Sequence, residues 1–309
     1  MIILLITIFT LISVFFIFYF FSMGFVRGKV YDITSKIVKH GSKTEKYQNE
    51  MFEKLDLIKN SSFEYLEVLS RDNLILRGKF LNNNSNKLVI MFHGYRSISE
   101  NDFSFIFDFY LNKGFNILMV DQRSHGASEG KYITFGTNER YDVLTWCNYI
   151  CDKFAYIEHI FLAGVSMGAT TILLSTELNL PEKVKGIIAD CGFTSPKDII
   201  SKVLVQSYGV SPEILIPIVN VLCKTFAGFD IYECSVQKAM QKNKLPILFI
   251  HGTSDDFVPS IMSKRNFKSC KSDKKLILVD CTNHGFSTVK EKDLVRTEIE
   301  KFVLKILPA

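Results

Sequence analysis

The chain has 309 residues, room for one large or two small domains, and 47% of them are hydrophobic, which allows a sizeable core. Its net charge of +5 is modest, mostly lysine and spread along the chain, with no basic cluster interleaved with aromatics, which argues against nucleic-acid binding. No clustered Cys/His spacing suggests a metal, no cofactor is expected, and the seven cysteines show no disulfide framework, so they read as thiols in a reducing compartment.

The N-terminus comes first. Met1 to Phe25 contains no charged side chain, and residues 2–21 are Ile, Leu, Phe, Val and Tyr, broken only by Thr7, Thr10 and Ser13. As a helix, such a run is about long enough to cross ~30 Å of hydrocarbon. A cleaved signal peptide would have a basic start, a shorter apolar core and a small-residue cleavage site, none of which is present. Residues 1–25 are therefore expected to be a transmembrane anchor, making the chain a single-pass membrane protein. Arg27, Lys29, Lys36 and Lys39 follow the run and nothing basic precedes it, so the positive-inside bias places the remainder on the cytoplasmic side. Residues 26–61, polar and lysine-rich with a weak helical pattern over 32–60, read as a juxtamembrane connector.

From residue 62 onward the pattern changes. Segments 63–68 and 74–81 look like an antiparallel pair at a sheet edge, joined to the next strand, 87–92, by the turn-rich loop Asn82-Asn83-Asn84-Ser85-Asn86. Apolar strand-like runs at 115–121, 159–163, 184–190, 245–252 and 275–280 then alternate with helical patterns such as 138–153. That alternation predicts an α/β fold, a mostly parallel sheet with helices on both faces, and ligands bind such sheets at the carboxyl ends of the strands. The interval 193–233 is too long for a simple connection. Its two apolar helical stretches, 197–207 and 212–226, suggest a small helical lid carrying Ile199, Ile200, Val203, Leu204, Ile214, Leu215, Ile218 and Leu222 at helical spacing.

The chemistry centres on Gly164-Val165-Ser166-Met167-Gly168, a G-x-S-x-G sequence between an apolar strand and a helix-compatible run. A serine on so sharp a turn needs small neighbours two before and two after, and the turn aims the following backbone N–H at the position of a developing oxyanion. A general base should follow late in the chain. Of the six histidines only His284 lies after the last strand; His40 sits in a polar stretch and His159 precedes the serine's strand. His93, His125 and His251 each precede a glycine, and His93 and His125 are read as structural. An acid is sought at a strand end, and Asp255, Asp256 and Asp190 compete, with Asp255 preferred, Asp256 expected to face solvent or cap the next helix, and Asp190 well behind.

These segments also carry a resemblance. His93-Gly94-Tyr95, the run from Asp121 to Ser128, Gly164-Val165-Ser166-Met167-Gly168, the run from His251 to Pro259, and His284 together resemble the α/β-hydrolases, close to the serine aminopeptidase and monoacylglycerol-lipase-like branch, over about residues 60–306. The chain looks most like uncharacterised, membrane-anchored bacterial hydrolases of this type. One departure is Arg123-Ser124-His125-Gly126-Ala127-Ser128, where the family commonly has R-G-x-G-x-S. The resemblance implies an α/β-hydrolase domain over 62–309 with its lid at about 193–233. It implies a catalytic Ser166, Asp255 and His284, and an oxyanion hole from the N–H groups of Tyr95 and Met167.

The expected function is a serine hydrolase that cleaves a small-molecule ester or lipid, of short-to-medium acyl length or monoacyl. A thioesterase, an amidase or aminopeptidase, and a membrane-tethered scaffold with an idle hydrolase fold are the alternatives. No motif places a cation to hold a substrate carboxylate, although Arg96 and Arg123 fall near the expected site. Since sheet and candidate triad lie downstream, removing residues 1–26 is expected to leave an active enzyme.

Overall fold

A computed structural model describes residues 2–28 and 42–307. Its centre is an eight-stranded sheet in the order β1-β2-β4-β3-β5-β6-β7-β8. The strands are β1 (Glu64–Leu69), β2 (Ile75–Leu81), β3 (Lys87–Phe92), β4 (Asn116–Asp121), β5 (His159–Val165), β6 (Val184–Asp190), β7 (Ile247–Gly252) and β8 (Lys274–Val279). β2 pairs antiparallel with both β1 and β4, and every other pairing is parallel.

The interior strands are near-continuous apolar runs because helices cover both faces. Alternation still sorts them. Leu88, Ile90 and Phe92 of β3 join one core with Val143, Trp146 and Ile150, whereas Val89 and Met91 join the opposite core with Phe103, Phe107 and Ile299. The first face is covered by α4 (Glu139–Lys153) and α5 (Met167–Ser175), the second by α3 (Ser99–Asn112) and α11 (Lys292–Ile306). In α3, Phe103, Ile106, Phe107 and Tyr110 are buried at the spacing that puts them on one helical face.

Between β6 and β7 lie α6 (Pro196–Tyr208), α7 (Pro212–Leu222), a π-helical turn (Cys223–Ala227) and α8 (Val236–Lys242). The start of α6 is written in the sequence: Ser195 Oγ accepts the Asp198 N–H at 3.1 Å, Pro196 opens the first turn, and Gly209 at φ 64° closes the helix. Ile199, Ile200, Ile216 and Leu222 are buried with Met167, which follows Ser166, so these helices sit above the carboxyl ends of the strands. Ile214 and Ile218 face outward instead, at 67% and 38% exposure, because α7 buries little more than Ile216 and Leu222. The remaining helices are α9 (Ile261–Ser269) and the short α10 (Ser287–Lys290).

Ile2–Phe25 is a helix, α1, but half of its side chains lie outside the described residues, and among the described residues no helix is long and apolar enough to cross a membrane. Its last turns are not set apart from the body: Phe21 and Phe25 are buried against protein, in the cluster that holds Met167, Ile133 and Phe229. Of the connector, 29–41, with His40, Lys29, Lys36 and Lys39, lies outside the described residues, and Ser42–Lys59 forms α2. Met51 and Ile58 of α2 are buried, and Lys54 pairs with Asp108 of α3 at 2.8 Å.

Candidate active site

Ser166 sits in the tight turn between β5 and α5 with φ 55° and ψ −114°, a strained conformation for a residue bearing a Cβ. Backbone bonds hold it there: its N–H donates to the Asp190 carbonyl at 2.8 Å, and its carbonyl accepts from the Thr170 N–H at 3.0 Å. The flanking glycines are required by space. A Cβ on Gly164 would lie 2.5 Å from the Gly168 carbonyl carbon, and one on Gly168 would lie 1.9 Å from the Phe92 oxygen. Gly168→Ala is therefore expected to push α5 off the end of β3 and shift the loop that begins at His93. A displacement near 1 Å costs on the order of 100-fold in turnover, and the strain lowers stability by about 1–3 kcal/mol. Gly186→Ala is the control, because the atoms nearest its Cβ would belong to the side chains of Phe302 and Ile306, at 3.0–3.1 Å, and not to backbone. Melting curves and kcat/KM that do not separate the two variants would contradict this account.

His284 lies in the loop after β8, and the structure joins it to two other residues. His284 Nε2 is 2.9 Å from Ser166 Oγ, and Nδ1 is 2.7 Å from Asp255 Oδ2. The Asp255 side chain is fully buried and that of Asp256 is not in the network: Asp256 is exposed. Asp255 also accepts the Phe257 and Val258 N–H groups on Oδ1, at 3.0 and 2.8 Å, and lies 3.2 Å from His251 Nε2. Burial alone would raise the Asp255 pKa, but the bonds from His251 and His284 and the Val258 N–H outweigh it and hold the carboxyl at about 2. An ionised Asp255 can only accept, so Nδ1 of His284 carries the proton and Nε2 is left to accept the Ser166 hydroxyl.

Asp190 is buried close by but serves different partners, with Ser287 Oγ donating to it at 3.2 Å. Burial pushes its pKa up to about 6 against the partial help of His251, Ser287 and His284. For this acid the folded-state pKa lies above the unfolded value near 3.9, so folding favours the protonated form. Stability therefore falls as pH rises from about 4 to about 6, and above that a deficit of up to about 3 kcal/mol persists. Asp190→Asn is expected to raise the melting temperature at pH 7 and flatten its decline between pH 4 and 6. A melting temperature at pH 7 below that of the parent would contradict it.

The loop after β3 approaches the serine from the other side. A Cβ on Gly94 would be 3.4 Å from Ser166 Cβ, so the Gly94–Tyr95 backbone passes beside the hydroxyl. Asp102 in the first turn of α3 holds this loop, accepting the Gly94 N–H and the Ser97 hydroxyl at 2.6 Å each. His93 and His125 hold it too. Nε2 of His93 accepts the Gln122 N–H at 3.1 Å, and Nε2 of His125 accepts the Arg96 N–H at 2.9 Å. Burial lowers the two histidines to about 4 and about 3, so both are neutral acceptors at neutral pH. Met167, on the opposite side, opens α5, where the first N–H groups have no partner within the helix.

Neither nearby arginine faces the site with a free charge. Arg123 is buried, pairing with Asp142 at 2.6 Å and Asp72 at 2.8 Å, and Arg96 donates to the carbonyls of Met23 and Val26 at 2.7 and 3.1 Å. Cys191 lies near Asp255 and His284, their ligand-type atoms within 4.8 Å of one another. Those two residues are already bonded to each other, and burial raises the Cys191 thiol well above its usual range. Sequence reasoning missed the parts played by His251 and Asp102, because each acts through a partner and matches no motif of its own.

Comparison with known proteins now has a site to bear on. Residues 83–222 match the family model described as serine aminopeptidase, S33. An uncharacterized protein of Bacillus subtilis, YqkD, is 27% identical over 215 residues, 70% of each chain. Protein bem46 of Schizosaccharomyces pombe is 26% identical over 226 residues, 70% of this chain and 68% of the other. Among solved structures, an esterase of Pyrococcus furiosus superposes with a TM-score of 0.66 at 24% identity, covering 82% of this chain and 92% of that one. Est1E of Butyrivibrio proteoclasticus, with ferulic acid bound, gives 0.63 at 21% identity, covering 78% and 99%. At such identities a structural likeness speaks for the fold, and the fold agrees with the matched segment, which holds the serine turn and the loop facing it: the chain has the α/β-hydrolase fold.

Proposed function

We propose that the chain is a serine hydrolase that cleaves carboxylic esters through an acyl-enzyme. The observation that carries this reading is the series Ser166 Oγ, His284 Nε2 and Nδ1, Asp255 Oδ2, with bonds of 2.9 and 2.7 Å, mounted on a strained turn at the carboxyl end of β5. His284 takes the hydroxyl proton as Ser166 Oγ attacks the ester carbonyl. Asp255 fixes the tautomer and stabilises the imidazolium. The carbonyl oxygen becomes an oxyanion held by the N–H groups of Met167 and Tyr95. His284 then gives the proton to the departing alkoxide, and a water activated in the same way releases the acid.

The substrate class follows from what surrounds the serine. Ile199, Ile200, Ile216 and Val258 pack in one apolar cluster with Met167, the residue after the serine, and both nearby arginines are committed elsewhere. A neutral ester with a short-to-medium acyl chain, or a monoacyl lipid, fits that lining. In a series of p-nitrophenyl esters, kcat/KM is expected to rise with acyl length by up to about fourfold per methylene, ~0.8 kcal/mol, until the pocket is full. Aminoacyl anilides run beside them test the peptidase reading that the serine aminopeptidase match favours. Preference for the anilides, or no rise beyond acetate, would reject the ester reading.

Attachment to a membrane belongs to the same proposal. Its support is the charge-free sequence through Val26 and the exposed Phe15, Phe16, Phe18 and Tyr19 of α1, while the basic residues from Arg27 suit the anionic cytoplasmic leaflet. Extraction by detergent but not by salt is expected, and release by salt alone would count against it.

A further inference from the structure

Where α1 ends, the chain is fastened to two loops that border the site. Phe25 and Arg27 form a short antiparallel contact with the loop after β4: the Ile133 N–H donates to the Phe25 carbonyl, and the Arg27 N–H to the Lys131 carbonyl, each at 2.7 Å. The ring of Phe25 meets Phe135 at 5.4 Å, and Phe135 in turn stacks on Tyr95 at 5.4 Å. The second fastening is polar. The Tyr95 hydroxyl donates to the Gly24 carbonyl at 2.9 Å, and Arg96 Nη2 donates to the Met23 and Val26 carbonyls. Carbonyls in the last turn of a helix have no partner within it and carry the negative end of its dipole, so a guanidinium is well matched to them. The contact is close: a Cβ on Gly28 would lie 2.7 Å from Arg96 Cζ.

These contacts converge on Tyr95 and Arg96, the part of the loop next to Ser166. Arg96 has φ 53°, a left-handed conformation that a side-chain-bearing residue adopts only when its surroundings impose it. His125 restrains its N–H from one side and the α1 terminus restrains its guanidinium from the other. Resting on the hydrolase reading above, we infer that the segment Phe21–Gly28 is a working part of the active site: through the Tyr95 hydroxyl and the Arg96 guanidinium it sets the position of the Tyr95 backbone N–H. Tyr95 and Arg96 side chains are thus positioning groups, and removing residues 1–26 takes away their anchor instead of leaving the enzyme intact.

The test uses the full chain. Tyr95→Phe removes one hydrogen bond and keeps the ring stack; Arg96→Met removes the others and keeps most of the bulk. In the double variant kcat is expected to fall tenfold or more while KM for a p-nitrophenyl ester changes less than threefold, since the donor acts on the transition state. Arg96→Lys, which restores a cation to the helix terminus, is expected to recover part of kcat. Backbone amide exchange over 94–98 should rise in the double variant, and this readout stands even where ester turnover is absent in the parent, a result that would count against the hydrolase reading alone. Unchanged exchange over 94–98 would overturn the inference, as would raised exchange with parental kcat, or a loss of kcat only in proportion to lost folded protein in the melting curve.

Discussion

Replacing Ser166 by alanine is expected to lower ester turnover by on the order of a millionfold, and to abolish labelling by a fluorophosphonate probe, without loss of the fold. The strain at this position comes from a Cβ at φ 55°, and alanine has the same Cβ, so folded stability should be little changed. The backbone bonds to Asp190 and Thr170 do not use the hydroxyl either. What is lost is the hydroxyl proposed as nucleophile and its 2.9 Å bond to His284 Nε2. Activity left above the uncatalysed rate would come from the N–H groups facing the substrate carbonyl. The measurements are kcat on a p-nitrophenyl ester, probe labelling and a melting curve. Full labelling of the variant would mean that another residue is the nucleophile, and the idle-scaffold reading would gain if the parent itself were unlabelled.

Much of the sheet was legible because its signals are local. β3 and β6 fall where their apolar runs predict, and the other strands differ by a residue or two at the ends. The serine turn was legible for a related reason: glycines two before and two after are a steric demand of the turn itself, visible in how little room Gly164 and Gly168 have. The choice between Asp255 and Asp256 was harder, since adjacent residues share every local signal. It depends on the side-chain directions set by the turn after β7, where Oδ1 of Asp255 accepts two backbone N–H groups and Asp256 is left exposed.

The docking of α1 was not legible at all. Phe21 and Phe25 read as members of an apolar run, and nothing in their spacing tells lipid from protein as the solvent they avoid. Their partners Tyr132, Phe135 and Phe229 are more than 100 residues away and occupy loops without periodicity. Arg96 shows the same limit. Its nearness to the site could be read from the motif, but its engagement with helix-end carbonyls some 70 residues earlier could not.

Asp255→Asn is expected to lower kcat by about 10,000-fold, some 5.5 kcal/mol in the barrier, whereas Asp256→Asn should stay within a fewfold of the parent. The reason lies in the partners of Asp255. The Phe257 and Val258 N–H groups both donate to Oδ1, so in the asparagine variant they hold the amide oxygen there. The amide NH2 then occupies the place of Oδ2, 2.7 Å from His284 Nδ1 and 3.2 Å from His251 Nε2. A donor facing Nδ1 forces the proton of His284 onto Nε2, where it can no longer accept the Ser166 proton. The folded-state pKa of about 2 for Asp255 adds a stability test. Because it lies below the unfolded value near 3.9, the ionised carboxylate contributes stability that is complete above about pH 4 and is lost as pH falls through about 2. Asp255→Asn should therefore be destabilised at pH 7 and lose less on acidification to pH 2 than the parent does. Equal activity of the two asparagine variants would remove Asp255 from the mechanism. Parental activity with a lowered melting temperature in Asp255→Asn would reduce it to a structural residue of the turn after β7.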